Sequence, residues 1–111
     1  MRLISVTIVV FCLALPGAAT AYGQQVGADL ARGQALVTKQ CASCHAVGRT
    51  GASPHETAPA FRTLSQRYKI EALEEALAEG LSSGHPDMPE FVFEADDVGA
   101  IIAYLNSIQD R

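Results

Sequence analysis

Residues 41–45 read Cys41-Ala42-Ser43-Cys44-His45 in a chain of 111 residues that holds only three cysteines and three histidines. Two of the thiols and one of the imidazoles therefore fall within five consecutive positions. On a helix, side chains three and four positions apart share a face, so Cys41, Cys44 and His45 would all project to one side of the segment carrying them. The purpose of that cluster decides the fold. A chain this short forms one domain at most, and a small domain rarely builds a self-sufficient apolar core without a staple.

Upstream of the cluster, residues 28–45 are predicted to be a helix, with Asp29 as its N-cap and Leu30, Gly33, Val37, Cys41 and Cys44 recurring at spacings of three and four. Glycine inside a helix costs about 0.5–1 kcal/mol relative to alanine, so Gly33 needs a reason, and close approach of a second helix is the natural one. Downstream, residues 46–59 carry Gly48, Gly51, Ser53, Pro54 and Pro59, which is loop chemistry. Residues 60–68 can form a short helix presenting Phe61, Leu64 and Tyr68. Residues 71–79 are predicted helical with Ile70, Leu73, Ala76 and Leu77 inward, and Gly80 as the stop. The stretch 82–91, SSGHPDMPEF, contains two prolines and cannot be regular helix. The final helix is the clearest: Val98, Ile101, Ile102, Leu105 and Ile108 follow the helical repeat behind Asp96 and Asp97, which suit its positive N-terminal end, and Tyr104 lies among them as the partner expected for Gly33. No segment of residues 22–111 sustains period-two alternation, so the class is all-α.

Residues 1–21 read as a secretory leader: Arg2 supplies the positive start, Leu3 to Leu15 is almost wholly apolar, Pro16-Gly17 breaks the run, and Ala19-Thr20-Ala21 resembles a cleavage site. The expected domain is therefore 22–111, exported to the periplasm and without stable membrane insertion once the leader is removed. An uncleaved anchor is the competing reading, but the clean apolar run is short for a span. Cys12 sits in mid-run and reads as leader filler. The whole chain has a formal charge of −4, and loss of Arg2 takes it to −5. That excess of acid argues against nucleic acid or an anionic membrane surface as a partner.

Export raises the redox question, because an oxidising compartment would turn Cys41 and Cys44 into a disulfide. A bridge closing so short a loop removes little entropy from the unfolded chain, so something else should occupy the thiols. C-x-x-C-H is the attachment pattern of c-type haem, in which the two sulfurs form thioethers to the vinyl groups and the histidine ligates the iron. The second ring nitrogen of His45 should then donate to an acceptor that fixes the ring. A thioredoxin-like pair would want a strand before the motif, whereas a helix precedes it here. A zinc site from Cys41, Cys44, His55 and His85 would have its histidines thirty residues apart instead of the usual few.

The second axial position comes from elimination. Met1 leaves with the leader, so Met88 is the one methionine remaining. It lies between Pro86 and Pro89, which limit the entropy lost in holding it at a metal. A soft thioether opposite histidine raises the reduction potential and suits electron transfer. The alternative is that Met88 is packing, with His85 or water on the iron. Ligands at 45 and 88 make the cofactor part of the core, so the apoprotein is expected to be largely unfolded.

In the order Gly33, Cys41-x-x-Cys44-His45, Pro59-Ala60-Phe61, Met88-Pro89-x-Phe91 and Ile101-x-x-Tyr104-Leu105, the chain resembles the small bacterial class I c-type cytochromes. The resemblance implies the cytochrome c fold, three to five helices wrapped around one covalently attached haem c, with the terminal helices crossing at Gly33 and Tyr104. It also implies that the backbone carbonyl of Pro59 is the acceptor for His45. One departure is visible: the family usually places an aromatic residue four positions after the glycine, and here that position is Val37, beside Leu36. The function implied is a one-electron carrier, not an enzyme, with Cys41, Cys44 and Pro59 binding the cofactor and His45 and Met88 on iron. Its partners would be redox proteins, such as a membrane oxidase or reductase or a periplasmic dehydrogenase, met as a monomer. A labile or absent Met88 ligand would instead open the iron to peroxide or a small gas. His55 and His85 read as solvated loop residues, and Glu71, Glu74, Glu75 and Glu79 as a wet helix face.

Overall fold

In the computed structural model of the chain, the described residues are 18–80 and 87–110. Most of the expected leader, Cys12 and His85 lie outside them. Among the described residues three α-helices, α1 (Ala18–Cys41), α2 (Leu73–Glu79) and α3 (Ala95–Ile108), are joined by two 3-10 segments at Phe61–Gln66 and Ile70–Ala72, with no strand. The all-α class is as expected.

The first helix is longer at its start and shorter at its end than the periodicity predicted. It already covers residues 18–27, ahead of the expected start at residue 28, and its residues 21–28 are exposed. Asp29 is consequently an interior residue, not a cap: its carboxylate accepts from Gln25 Nε2 one turn earlier, at 3.0 Å. At the other end the helix stops at Cys41, not at His45: the Cys44 N–H tightens onto the Cys41 carbonyl at 3.1 Å, one residue short of its helical partner.

Helices α1 and α3 cross and hold most of the core. Val37, Ile101 and Leu105 are each no more than 3 % exposed there. Gly33 is buried at the crossing, and a Cβ built on it would lie 2.8 Å from Tyr104 Cβ and overlap the Ala100 carbonyl. Close helix approach is therefore the reason for that glycine, as expected. Arg32 adds an ion pair across the same crossing to Asp97, at 2.5 Å. Val37 is the most buried large side chain, so a small branched residue fills the place where the resemblance leads one to expect an aromatic ring, and Leu36 packs partly buried beside it.

The expected helix over 60–68 is a 3-10 segment. It is sewn to the end of α3 by Gln109, whose amide donates to the Phe61 carbonyl at 2.8 Å and accepts from the Ser65 N–H at 2.8 Å. The Asp110 N–H adds a bond to the Arg62 carbonyl at 2.8 Å. Leu64 is buried, but Tyr68 is 41 % exposed and does not join the core. The helix expected over 71–79 opens as a 3-10 turn around buried Ile70 and becomes α-helical only from Leu73. It ends at Gly80, whose φ of +112° other residues rarely adopt. Residues 87–94 return outside any helix, pinned where the Phe93 N–H donates to the Leu77 carbonyl at 2.9 Å.

Candidate functional site

The turn that follows α1 is built by its own backbone. The N–H groups of Cys44 and His45 both donate to the Cys41 carbonyl, at 3.1 and 2.9 Å, so the three side chains stay on one turn although the helix itself has ended. The loop that follows folds back onto this turn. His55 N–H donates to the Cys44 carbonyl at 3.1 Å and Phe61 N–H to the Ala46 carbonyl at 2.9 Å. Tyr104 of α3 donates its hydroxyl to the Val47 carbonyl at 2.9 Å, fixing the loop to the helix pair.

That closure brings Pro59 to His45. The imidazole Nδ1 lies 2.8 Å from the Pro59 carbonyl oxygen. A carbonyl only accepts, so Nδ1 carries the proton, and in the neutral ring Nε2 keeps its lone pair. The Phe61 ring packs against the imidazole with centroids 4.7 Å apart and a tilt of 36°.

Cys41, Cys44, His45, Pro59 and Met88 all line one cleft of about 460 Å³. Its walls are largely apolar, from Val37 on α1, Leu64 on the 3-10 segment, Leu73 and Leu77 on α2, and Ile101 and Leu105 on α3. Met88 reaches it half-buried from the non-helical return segment. The cleft thus collects two thiols, an imidazole nitrogen and a thioether, the last two being metal-ligand atoms drawn from distant parts of the chain.

Both thiols are free and half-buried. Burial, and then the neighbouring Cys44, push the Cys41 thiol up to about 11. A disulfide-exchange pair needs the opposite shift, because the thiolate is the nucleophile. Among the described residues no group of three or more His, Cys, Asp or Glu side chains is placed to hold a metal ion between them. His55 is 40 % exposed and hydrogen-bonds Thr57 Oγ1 at 3.1 Å, with Nε2 3.7 Å from the Asp87 carboxylate, so it is a loop residue at the rim of the cleft.

Two cleft residues escaped the sequence reading. Phe61 was legible as an apolar side chain but not as the neighbour of the imidazole. Arg67, the only lysine or arginine on the cleft wall among the described residues, had no signal, since its place follows from how the 3-10 segment ends.

Residues 30–109 match the family model described as Cytochrome c. The chain is 33 % identical over 98 residues to cytochrome c-552 of Bradyrhizobium diazoefficiens, covering 88 % of this chain and 91 % of that protein. It is 34 % identical over 84 residues to cytochrome c6 of Picosynechococcus sp., covering 70 % of this chain and 72 % of that one. No solved structure matches.

Proposed function

The chain belongs to the cytochrome c family, and from that premise we propose that it is a soluble one-electron carrier holding one covalently attached haem c through the residues of this cleft. The donor set fits that group: two thiols on one turn, an imidazole with its Nε2 lone pair free, a thioether, and an apolar cleft to enclose a flat macrocycle. Cys41 and Cys44 would carry the thioether links, and His45 Nε2 and Met88 Sδ would be the axial ligands. When bound, the group supplies reversible gain and loss of one electron at its iron.

The rest is done by the chain. The Pro59 carbonyl holds the imidazole in one tautomer and one orientation and raises its basicity as a ligand. Phe61 limits tilting of the ring. Met88 would offer a soft sulfur that favours the reduced state, and the apolar walls would limit the access of water to the site. If His45 and Met88 both held the metal, no place would be left on it for a substrate, which is why a carrier and not an enzyme is the reading.

A cleaved leader over 1–21 would put the domain 22–111 in the periplasm, where it would meet a membrane oxidase or reductase or a periplasmic dehydrogenase. Such encounters are brief and use small interfaces, with a monomer presenting the open side of the cleft. Among the described residues no helix is long and apolar enough to cross a membrane.

The observation that carries this reading is the His45 to Pro59 hydrogen bond at 2.8 Å in a cleft that also gathers Cys41, Cys44 and Met88. The test is the optical spectrum of the oxidised, purified protein. A weak red charge-transfer band reports thioether on iron, and the reduced form should then resist carbon monoxide. Absence of the band with ready carbon monoxide binding would replace the carrier by an open-iron protein acting on peroxide or a small gas.

A further inference from the structure

Met88 reaches the cleft on a segment with few anchors. Among the described residues, the one backbone hydrogen bond from residues 87–93 to the rest of the chain runs from the Phe93 N–H to the Leu77 carbonyl at 2.9 Å, well beyond the thioether. The tie nearest to Met88 is a side chain. Asp87 Oδ2, on the residue just before it, lies 3.7 Å from His55 Nε2. His55, Asp87 and Met88 all line the cleft.

His55 belongs to the other half of the site. Its N–H donates to the Cys44 carbonyl at 3.1 Å, one residue before His45, and its own carbonyl accepts from the Ala58 N–H at 3.1 Å, one residue before Pro59. The ring is held as well, with Nδ1 3.1 Å from Thr57 Oγ1. His55 is thus fixed on the segment that carries the imidazole ligand, while its second nitrogen faces the neighbour of the thioether. A carboxylate only accepts, so Nε2 presents an N–H to Asp87 whether the ring is neutral or protonated, and the Thr57 hydroxyl can donate to Nδ1 or accept from it.

At 3.7 Å the contact is electrostatic and longer than a hydrogen bond, and His55 is 40 % and Asp87 77 % exposed. Exposed pairs often contribute nothing, because ordering two side chains costs entropy. Here His55 is already held through its backbone and its ring, so that cost falls mainly on Asp87. A tie one residue from Met88 is broken in every opening of that segment.

We propose that His55, by facing Asp87, is a positioning residue that spans the rim of the cleft and holds Met88 in place, so that the thioether leaves a bound iron more slowly. The inference rests on the haem reading above. The competing account is a solvated histidine and a solvated aspartate whose nearness has no effect.

The experiment uses purified ferric holoprotein and saturating imidazole, which takes the thioether's place only after the sulfur has left, and follows loss of the red charge-transfer band by stopped flow. His55→Ala and Asp87→Ala should each raise the limiting rate about two- to fivefold, the range open to an exposed pair. The double variant should be no faster than the faster single one, because the second substitution has no partner left to remove, whereas a general loosening of two loops would multiply. His55→Gln keeps an N–H that can reach the carboxylate and should fall between His55→Ala and wild type. A His55→Ala rate no higher than the wild-type rate overturns the proposal, as do single effects that multiply in the double variant. Should His55→Ala fail to accumulate as holoprotein, the exposed partner decides: faster release in Asp87→Ala supports the proposal and unchanged release overturns it. A wild-type protein without haem or without the band would refute the proposed function itself, whereas a normal band with exchange indifferent to both substitutions refutes only this inference.

Discussion

Gly33→Ala and Gly99→Ala are the same chemical change in two helices of one molecule, and the structure predicts opposite signs for them. Alanine exceeds glycine in helix propensity by about 0.8–1.0 kcal/mol. At Gly99, on the exposed side of α3, a Cβ would meet nothing within 4 Å, so the substitution should stabilise by about 0.5–1 kcal/mol. At Gly33 the added methyl would lie 2.7 Å from the Ala100 carbonyl carbon and 2.8 Å from Tyr104 Cβ, and it would overlap the carbonyl oxygen as well. Most of that obstruction is backbone, so it is relieved only by separating α1 from α3. Overpacking of this kind costs about 1–3 kcal/mol, occasionally more, and parting the helices loosens the packing around Val37, Ile101 and Tyr104 too. Because the obstruction is backbone, the upper end of that range, about 3 kcal/mol, applies, and subtracting the propensity gain of about 1 kcal/mol leaves a net loss of about 2 kcal/mol at Gly33. For a domain of this size each kcal/mol moves the melting temperature by about 4–8 °C. Thermal denaturation of the two holoproteins, followed by far-UV circular dichroism, should therefore show Gly33→Ala falling by about 8–16 °C while Gly99→Ala rises by a few degrees. A Gly33→Ala protein as stable as Gly99→Ala would refute the close crossing.

Tyr104→Phe removes the donor that satisfies the Val47 carbonyl and should cost about 1 kcal/mol in chemical denaturation. Burial holds the Tyr104 pKa above its ordinary value, and Arg49 only partly offsets this, so the group's contribution is complete below the unfolded pKa near about 10 and is lost as pH rises through the folded one. The phenylalanine variant should therefore show a shallower loss of stability on the alkaline side. Arg32→Gln should cost no more than about 1 kcal/mol, because the pair with Asp97 is half exposed, and the deficit should shrink in high salt. Met88→Ala should remove the red charge-transfer band, admit carbon monoxide to the reduced protein, and lower the midpoint potential by more than about 59 mV.

The parts of the fold that sequence made legible are those governed by local pattern. Val98, Ile101, Ile102, Leu105 and Ile108 mark the buried face of α3, and all five are buried. Gly33 was legible because a glycine within a helical repeat asks for a close neighbour, and the crossing provides one. The helix ends were less legible. α1 stops at Cys41 because the Cys44 N–H takes the Cys41 carbonyl, a choice of backbone partner that side-chain periodicity does not encode. Residues 21–28 of α1 are exposed, and a search for amphipathic periodicity does not detect a helical stretch that buries no face. In the site, Cys41, Cys44, His45 and Met88 stood out because their side chains are rare in this chain and chemically specific. The Pro59 acceptor is a backbone carbonyl, a group every residue has, so only the family resemblance pointed to it.

The central claim is that two thioether bonds fasten one haem to this chain, and intact mass of the exported, purified protein read together with its absorbance tests it most directly. The account predicts the mass of residues 22–111 plus one haem, with a Soret band that survives acid-acetone extraction, and loss of both additions when Cys41 and Cys44 are replaced by serine. A colourless protein with the mass of the bare polypeptide would contradict it.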